Sequence, residues 1–306
     1  MKILLLSALL RNNQNYIPYM FKMFKMIEEN LQDSYNIKYL IYTNNNTDDT
    51  ENLLKNNNFD NLEIINEDLD IEEDNINKLE NKVERQDFLK EILKKKFDYL
   101  FMFDSDIYFN SSIILDMIHL INNTDYEAIT CNTIGQNLPL YYDFFSLVDK
   151  NNENISLDKK KKVINFHLEC FDKEIIDVKS AFGGFFLIKS KTLRNKNPTY
   201  KKGIPIDKRI CEHIPFNKNF KIGFATNINP IRLKLDYPFK HKKAYNIIKE
   251  NNSENRNIKR DLAILIIEII LCLISLGLII IKKRYDYIFL LIISICLIIN
   301  NFQEFF

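Results

Sequence analysis

The chain has 306 residues, 46% of them hydrophobic, which is enough to bury one good-sized core or two smaller ones. Lys and Arg number 42 against 41 Asp and Glu, so a formal net charge of +1 excludes a global field that would draw in nucleic acid or acidic partners. Five cysteines (Cys131, Cys170, Cys211, Cys272 and Cys296) form no CxxC pair or zinc spacing, and their odd count speaks for a reducing compartment over a disulfide framework.

In chain order, "MKILLLSALLRNN" reads as a first buried strand, Ile3–Leu10, because its apolar run is short and no small-residue cleavage site follows. Ile17, Met20, Phe21, Phe24 and Ile27 then recur at helical spacing, predicting a helix over Tyr16–Glu29. "IKYLIYT" (Ile37–Thr43) is the next strand, "DDTENLLKNN" a helix and "NLEIIN" a third strand. An Asn/Asp/Glu-rich stretch, Glu67–Asn77, reads as an exposed loop. The helical "INKLENKVERQDFLKEILKKK" leads into the strand "YLFMF". This βαβα order predicts an α/β fold on a mostly parallel sheet, in which ligands sit beyond the carboxyl ends of the strands.

The second half is less regular. "EAITCNT" is a strand candidate, "NNENISLDKKKK" a charged loop, "VKSAFGGFFLIKS" a strand with Gly183-Gly184 inside it, and "KIGFATNI" a last short strand. Residues 1–245 are expected to form this domain and residues 246–260 a basic linker. Two apolar segments follow, 262–281 and 287–302, with no polar face; they predict a transmembrane hairpin, with Glu268 the one costly charge. Lys242, Lys243, Lys249, Arg256, Lys259 and Arg260 precede the first span, which predicts a multi-pass membrane protein whose N-terminal domain is cytosolic. That basic run suits an anionic membrane surface.

The chemistry concentrates at "FMFDSDIYFN". Asp104 and Asp106 follow a buried strand, and strand alternation would aim both side chains the same way. Two converging carboxylates call for a cation, and hard oxygen ligands suit Mg²⁺ or Mn²⁺ with a substrate diphosphate completing the shell. A solvated strand end is the bland alternative.

The surrounding motifs add to this. Arg11-Asn12 follows the first strand; Asn44, Thr47, Asp48 and Thr50 follow the second; Arg85 lies on the helix before Asp104–Asp106. Tyr142-Asp143, the Gly183-Gly184 segment and "CEHIPFN" come later in order. Over residues 3–235 this pattern resembles the Rossmann-like GT-A glycosyltransferases, and in finer detail the capsule-associated (CAP59-type) α-mannosyltransferases. The resemblance implies a metal-dependent hexosyl transfer from a nucleotide sugar (GDP-mannose or a UDP-sugar) to a glycan, lipid or glycoprotein acceptor. It implies Asp106 as metal ligand, Asp104 on the ribose or metal shell, and Arg11 and Arg85 on ribose or phosphate. It also implies Gly183 and Gly184 near donor sugar and acceptor, Glu212 at the acceptor or as the catalytic base if the transfer inverts, and a late histidine, here His241, as further metal ligand. Thr43 and Asn44 stand where many relatives carry an acidic base contact; an amide can still meet a base edge as donor and acceptor. Asp48 has a competing reading as a helix N-cap, and His213 would face away from Glu212 if the segment were extended. His119 and His167 lack motif context and read as structural. Two rivals remain: a nucleotide-sugar-binding scaffold without turnover, and a sugar-phosphate nucleotidyltransferase, which the glycine-free "SALLRNNQN" disfavours.

Overall fold

The structure, a computed structural model, describes residues 1–68, 80–135, 138–151, 160–171, 173–200 and 211–233. Four parallel strands open the chain: β1 (Lys2–Leu10), β2 (Tyr35–Asn44), β3 (Leu62–Glu67) and β4 (Tyr99–Phe103). Between them run α1 (Ile17–Leu31), α2 (Thr50–Lys55) and α3 (Glu80–Lys94). These are the elements that the apolar runs and the helical spacing predict. Leu4, Leu6 and Ala8 of β1 join a core with Met20 and Phe24 of α1, while Leu5 faces Phe88, Leu89 and Ile92 of α3. Helices cover both faces, which is why the strands read as unbroken apolar runs. Pro18 sits in the first turn of α1, where its missing N–H leaves no helical bond unmade.

The four strands lie in the order β3-β2-β1-β4. The chain steps outward from β1 to β3 and then returns to lay β4 on the other side of β1. Strand order reverses between β1 and β4, so a crevice opens there at the carboxyl ends.

The second half extends the sheet with β6 (Ala128–Cys131), β9 (Val148–Asp149), β10 (Ile175–Ser180), β11 (Phe185–Lys189) and β12 (Ile222–Ala225), giving the order β4-β11-β6-β12-β10-β9. Here the expectation of a mostly parallel sheet fails. Only β6 and β12 pair in parallel; the four other junctions from β4 to β9 are antiparallel, so the sheet as a whole is mixed. Apolar runs identify buried strands but carry no direction, which the connections decide.

A small second sheet, β5-β13-β7-β8, is made of β5 (Ile107–Tyr108), β7 (Ile134–Gly135), β8 (Leu138–Tyr141) and β13 (Ile231–Arg232). Four helices, α4 (Ser111–Asn123), α5 (Lys160–Phe171), α6 (Ser190–Lys196) and α7 (His213–Asn217), complete the described residues. The α4 helix buries Ile113, Ile114, Met117, Ile118, Leu120 and Ile121 and is capped by Asn110, whose side chain accepts the Ile113 N–H at 3.1 Å. The lysine run expected in a charged loop instead enters α5.

"VKSAFGGFFLIKS" is likewise not one strand. It divides into the end of β10, a turn and β11, with Gly183 and Gly184 at φ +59° and +65°. Two consecutive left-handed residues end strand geometry, and glycine takes them without a Cβ penalty. Cys131, Cys170 and Cys211 are buried free thiols. Among the described residues no helix is long and apolar enough to cross a membrane. The expected spans, Glu268, His241 and the basic linker lie outside the described residues.

Candidate active site

The loops after β1, β2 and β4 meet at the reversal point. β4 ends at Phe103, level with Ala8 of β1, and the Asp104 carbonyl accepts the Ile107 N–H at 3.0 Å. Asp104 and Asp106 therefore stand on a tight turn past the strand, and strand alternation does not set their direction. Ser105, between them, is buried and donates its hydroxyl to Asn13 Oδ1, tying the aspartate turn to the β1 loop.

The β1 and β2 loops are tied together by hydrogen bonds between side chains and backbone. Asn12 Oδ1 accepts the Thr47 N–H at 2.7 Å, and Asn46 Oδ1 accepts the Asn12 N–H at 3.0 Å. Asn12 and Asn45 both adopt left-handed backbone, at φ 53° and 42°, which asparagine tolerates better than other side chains do. Asp48 accepts the Gln14 N–H at 3.1 Å and the Thr50 N–H at 3.0 Å. It thus meets the first N–H of α2 from one position before the N-cap, which is Asp49. Arg11 lies in the same loop, one residue past β1. Thr43 donates to the Leu10 carbonyl at 3.0 Å, whereas Asn44 is fully buried with no hydrogen-bond partner on its amide oxygen or nitrogen among the described residues.

Charge gathers on the other side of the aspartate turn. Arg85, from α3, lies 3.6 Å from Asp104 Oδ1 and 3.3 Å from Glu212 Oε1. Arg232, from β13, donates Nε–H to Asp106 Oδ2 at 2.7 Å. Burial pushes the Asp104 carboxyl up to about 7; Arg85 opposes the rise, and Asp106, Asp143 and Glu212 add to it. Burial also raises Asp143, which is held by the Gly183 N–H at 3.1 Å and by Ser146. Glu212 behaves oppositely: burial disfavours its charge, but His213 and Arg85 hold it down at about 2. His213 is itself driven down to about 3 by burial and by Arg85, so at neutral pH its ring is uncharged and Arg85 is the effective partner.

Glu212 and His213 do not lie on an extended segment, so they do not face apart. Glu212 is the N-cap residue of α7, and His213 Nε2 lies 3.6 Å from Glu212 Oε1. The His213 ring stacks on Phe182 at 3.8 Å between centroids. Asn217 anchors α7 by donating to Ser180 Oγ at 3.0 Å and to the Ala181 carbonyl at 2.9 Å. The glycine turn connects these parts, since the Gly184 carbonyl accepts the Asp104 N–H at 2.9 Å. A Cβ on Gly184 would stand 2.5 Å from Ile107 Cγ1 and 2.7 Å from the Tyr142 hydroxyl; one on Gly183 would stand 2.9 Å from Tyr141 Cε2. Backbone conformation and close packing against protein atoms thus account for both glycines.

No protein-family model matches the chain, and no curated protein matches it either. Solved structures do. The crystal structure of S. aureus TarS residues 1–349 in complex with UDP-GlcNAc aligns at TM-score 0.49 and 12% identity, over 79% of this chain and 61% of that one. The mannosyltransferase PcManGT from Pyrobaculum calidifontis, in complex with GDP-Man and Mn²⁺, aligns at TM-score 0.45 and 10% identity, over 80% and 59%. The chain thus spans about three-fifths of the length of these proteins. Likeness at this level carries no functional assignment, and the reading below rests on the residues of this chain.

Among the described residues no three His, Cys, Asp or Glu side chains stand together as a ready metal cage. The donor chemistry nonetheless fits a hard divalent ion of the Mg²⁺ or Mn²⁺ kind, which binds through one or two carboxylates and completes its shell with water and phosphate. Burial chiefly raises the Asp104 carboxyl, with Asp106, Asp143 and Glu212 adding to the rise, and a bound cation would favour its charged form again.

The structure adds Arg232 to the site. In the sequence it stands between Ile231 and Leu233, and no local pattern links it to Asp106. Tyr142 and Asp143 were visible as a motif, yet their work, covering the turn and holding Gly183, depends on the fold. His119 lies beside Asn123 on α4, and His167 is packed against Phe144 and Phe166, both away from the carboxylates.

Proposed function

We propose that the protein is a metal-dependent glycosyltransferase that moves a hexose from a nucleotide sugar to a glycan, lipid or glycoprotein acceptor. Mannose from GDP-mannose is the donor we favour, on the CAP59-type resemblance of the motifs. One observation carries the reading: two aspartates share a turn at the carboxyl end of β4, at the strand-order reversal, beside further carboxylates and two arginines.

Asp104 and Asp106 would hold Mn²⁺ or Mg²⁺, which when bound neutralises the departing diphosphate. Arg85 and Arg232 supply fixed positive charge beside the same group. The base edge falls to Asn44, whose buried amide has both donor and acceptor unmet. Glu212, held ionised at about 2, is too weak a base to take a proton from an acceptor hydroxyl. Its role is to orient Arg85 and accept a hydrogen bond from the acceptor, which agrees with retention at the anomeric carbon. The segments 262–281 and 287–302 anchor the protein as a membrane hairpin with the domain on the cytosolic side; protection of that domain from protease in intact vesicles would contradict this.

The test is incubation of purified protein with a panel of nucleotide sugars and Mn²⁺, with Asp106→Asn as control. The expected result is metal-dependent donor hydrolysis or transfer, reduced ~10²–10³-fold in the variant, the size of loss typical when one electrostatic contact to developing charge is removed. Absence of metal-dependent binding, hydrolysis and transfer across the panel would sink the proposal. The ion pairs already made by both aspartates favour one second reading, a nucleotide-sugar-binding protein without turnover. Donor binding with neither hydrolysis nor transfer would select it.

A further inference from the structure

Asp104 and Asp106 each meet an arginine, but the two arginines are held differently. The Arg85 side chain is 16% exposed, bridges Asp104 and Glu212, and lies 5.5 Å from the Phe182 ring centre. It is held by two carboxylates and an aromatic ring at once. The Arg232 side chain is 38% exposed and, among the described residues, forms an ion pair with Asp106 only. Its guanidinium rests 4.6 Å from the centre of the Tyr142 ring, so it has a face to slide over.

The backbone delivers Arg232 to this place. Arg232 pairs with Ile107 across the antiparallel β5–β13 ladder, and the Leu233 N–H bonds the Asp106 carbonyl at 2.7 Å. A strand thus aims the guanidinium at the very carboxylate that a metal would need. Arginine stays charged at every physiological pH, so this occupation does not lapse with protonation.

We propose that Arg232 is a resident counter-cation: it holds Asp106 in the metal-free protein and passes to the donor's diphosphate when a divalent ion takes that carboxylate. The inference rests on the nucleotide-sugar reading above. Metal alone must evict Arg232 and finds it no new partner. Metal with a nucleoside diphosphate gives the guanidinium two phosphate groups to bind. The two ligands therefore bind cooperatively, each raising the affinity for the other by the same factor.

The experiment titrates Mn²⁺ into the full-length chain, following free Mn²⁺ by electron paramagnetic resonance, first alone and then with UDP or GDP. The parent is expected to bind Mn²⁺ weakly alone and about tenfold more tightly with a nucleoside diphosphate, within the usual range of coupling between sites. Arg232→Gln is expected to bind Mn²⁺ alone about tenfold more tightly than the parent and to gain less from the nucleotide than the parent does, the gain that remains coming from phosphate coordinating the metal directly. Arg232→Lys, which keeps the charge on a flexible stem, is expected to fall between them and guards against a folding defect in the first variant. Unchanged or weakened Mn²⁺ binding in Arg232→Gln, with the parent binding metal and nucleotide normally, overturns this inference alone. A parent that binds no Mn²⁺ with or without UDP or GDP overturns the nucleotide-sugar reading as well.

Discussion

The two halves of the sheet bring different chemistry to the same crevice. The parallel half, β3-β2-β1-β4, ends in loops that bond one another mostly through neutral groups, Asn12 to Thr47, Asn46 to Asn12 and Gln14 to Asp49, with the Asp48 carboxylate adding one bond to Gln14. The mixed half contributes Asp143, Glu212, Arg232, Phe182 and Tyr142, a charged and aromatic set. Neutral, directional groups suit recognition of a base and sugar, while charges in a low-dielectric setting suit a diphosphate. Arg85, on α3 of the parallel half, reaches across to Glu212, and the aspartate turn belongs to both. Its Ser105 bonds the first half, and the Asp104 N–H bonds the second through Gly184.

The largest test of this division is Arg85→Met. It leaves Asp104 and Glu212 without their cation, and breaking a buried pair costs ~3–5 kcal/mol. Urea unfolding should show that loss, and an unchanged midpoint would mean that the charged half is held by something else. Gly184→Ala comes next. Left-handed backbone and a Cβ 2.5 Å from Ile107 predict a loss of ~2–3 kcal/mol. The thermal transition should fall accordingly, with Gly183→Ala, where the nearest approach is 2.9 Å, milder.

The pH response offers a third test. His213, held neutral down to about 3, contributes stability that is complete above the free histidine value and is lost as pH falls below it. At pH 5 the cost is ~2 kcal/mol. Asp104 works the other way over the same range, because the folded protein takes up its proton first, so the readout is the difference between His213→Phe and the parent. That difference should open between pH 6.5 and 4.5; below it the depressed Glu212 adds a loss of its own to both proteins. The smallest effect belongs to the neutral half. Asn46→Ala removes bonds to Asn12 and Thr43, and unfolding should register ~1 kcal/mol, with Mn²⁺ binding untouched. A large change in metal affinity would erase the distinction between the halves.

What could be read from sequence follows the same line. Strands β1 to β4 and helix α1 announce themselves because their patterns are local: apolar runs for strands covered on both faces, a 3.6-residue period for a helix covered on one. The aspartate pair is also local, and so is its turn, closed by the bond from the Ile107 N–H to the Asp104 carbonyl, but the apolar run before it makes the segment read as a continuing strand. The mixed half is harder because its partners are distant. Arg85 finds Glu212 across 127 residues and Asp106 finds Arg232 across 126, so no window of sequence contains both members of either pair. Direction in β10, β11 and β12 is settled by turns such as Gly183-Gly184, whose doubled glycine was noticed but read as part of a strand.

The bond from the Leu233 N–H to the Asp106 carbonyl gives the site a mechanical side. Residue 233 is where the chain leaves the small sheet for the basic run and apolar segments that follow in the sequence. Within the described residues β13 and the Leu233 N–H thus hold the aspartate turn from its late-sequence side, so a change that displaces β13 shifts Asp106 and its arginine together.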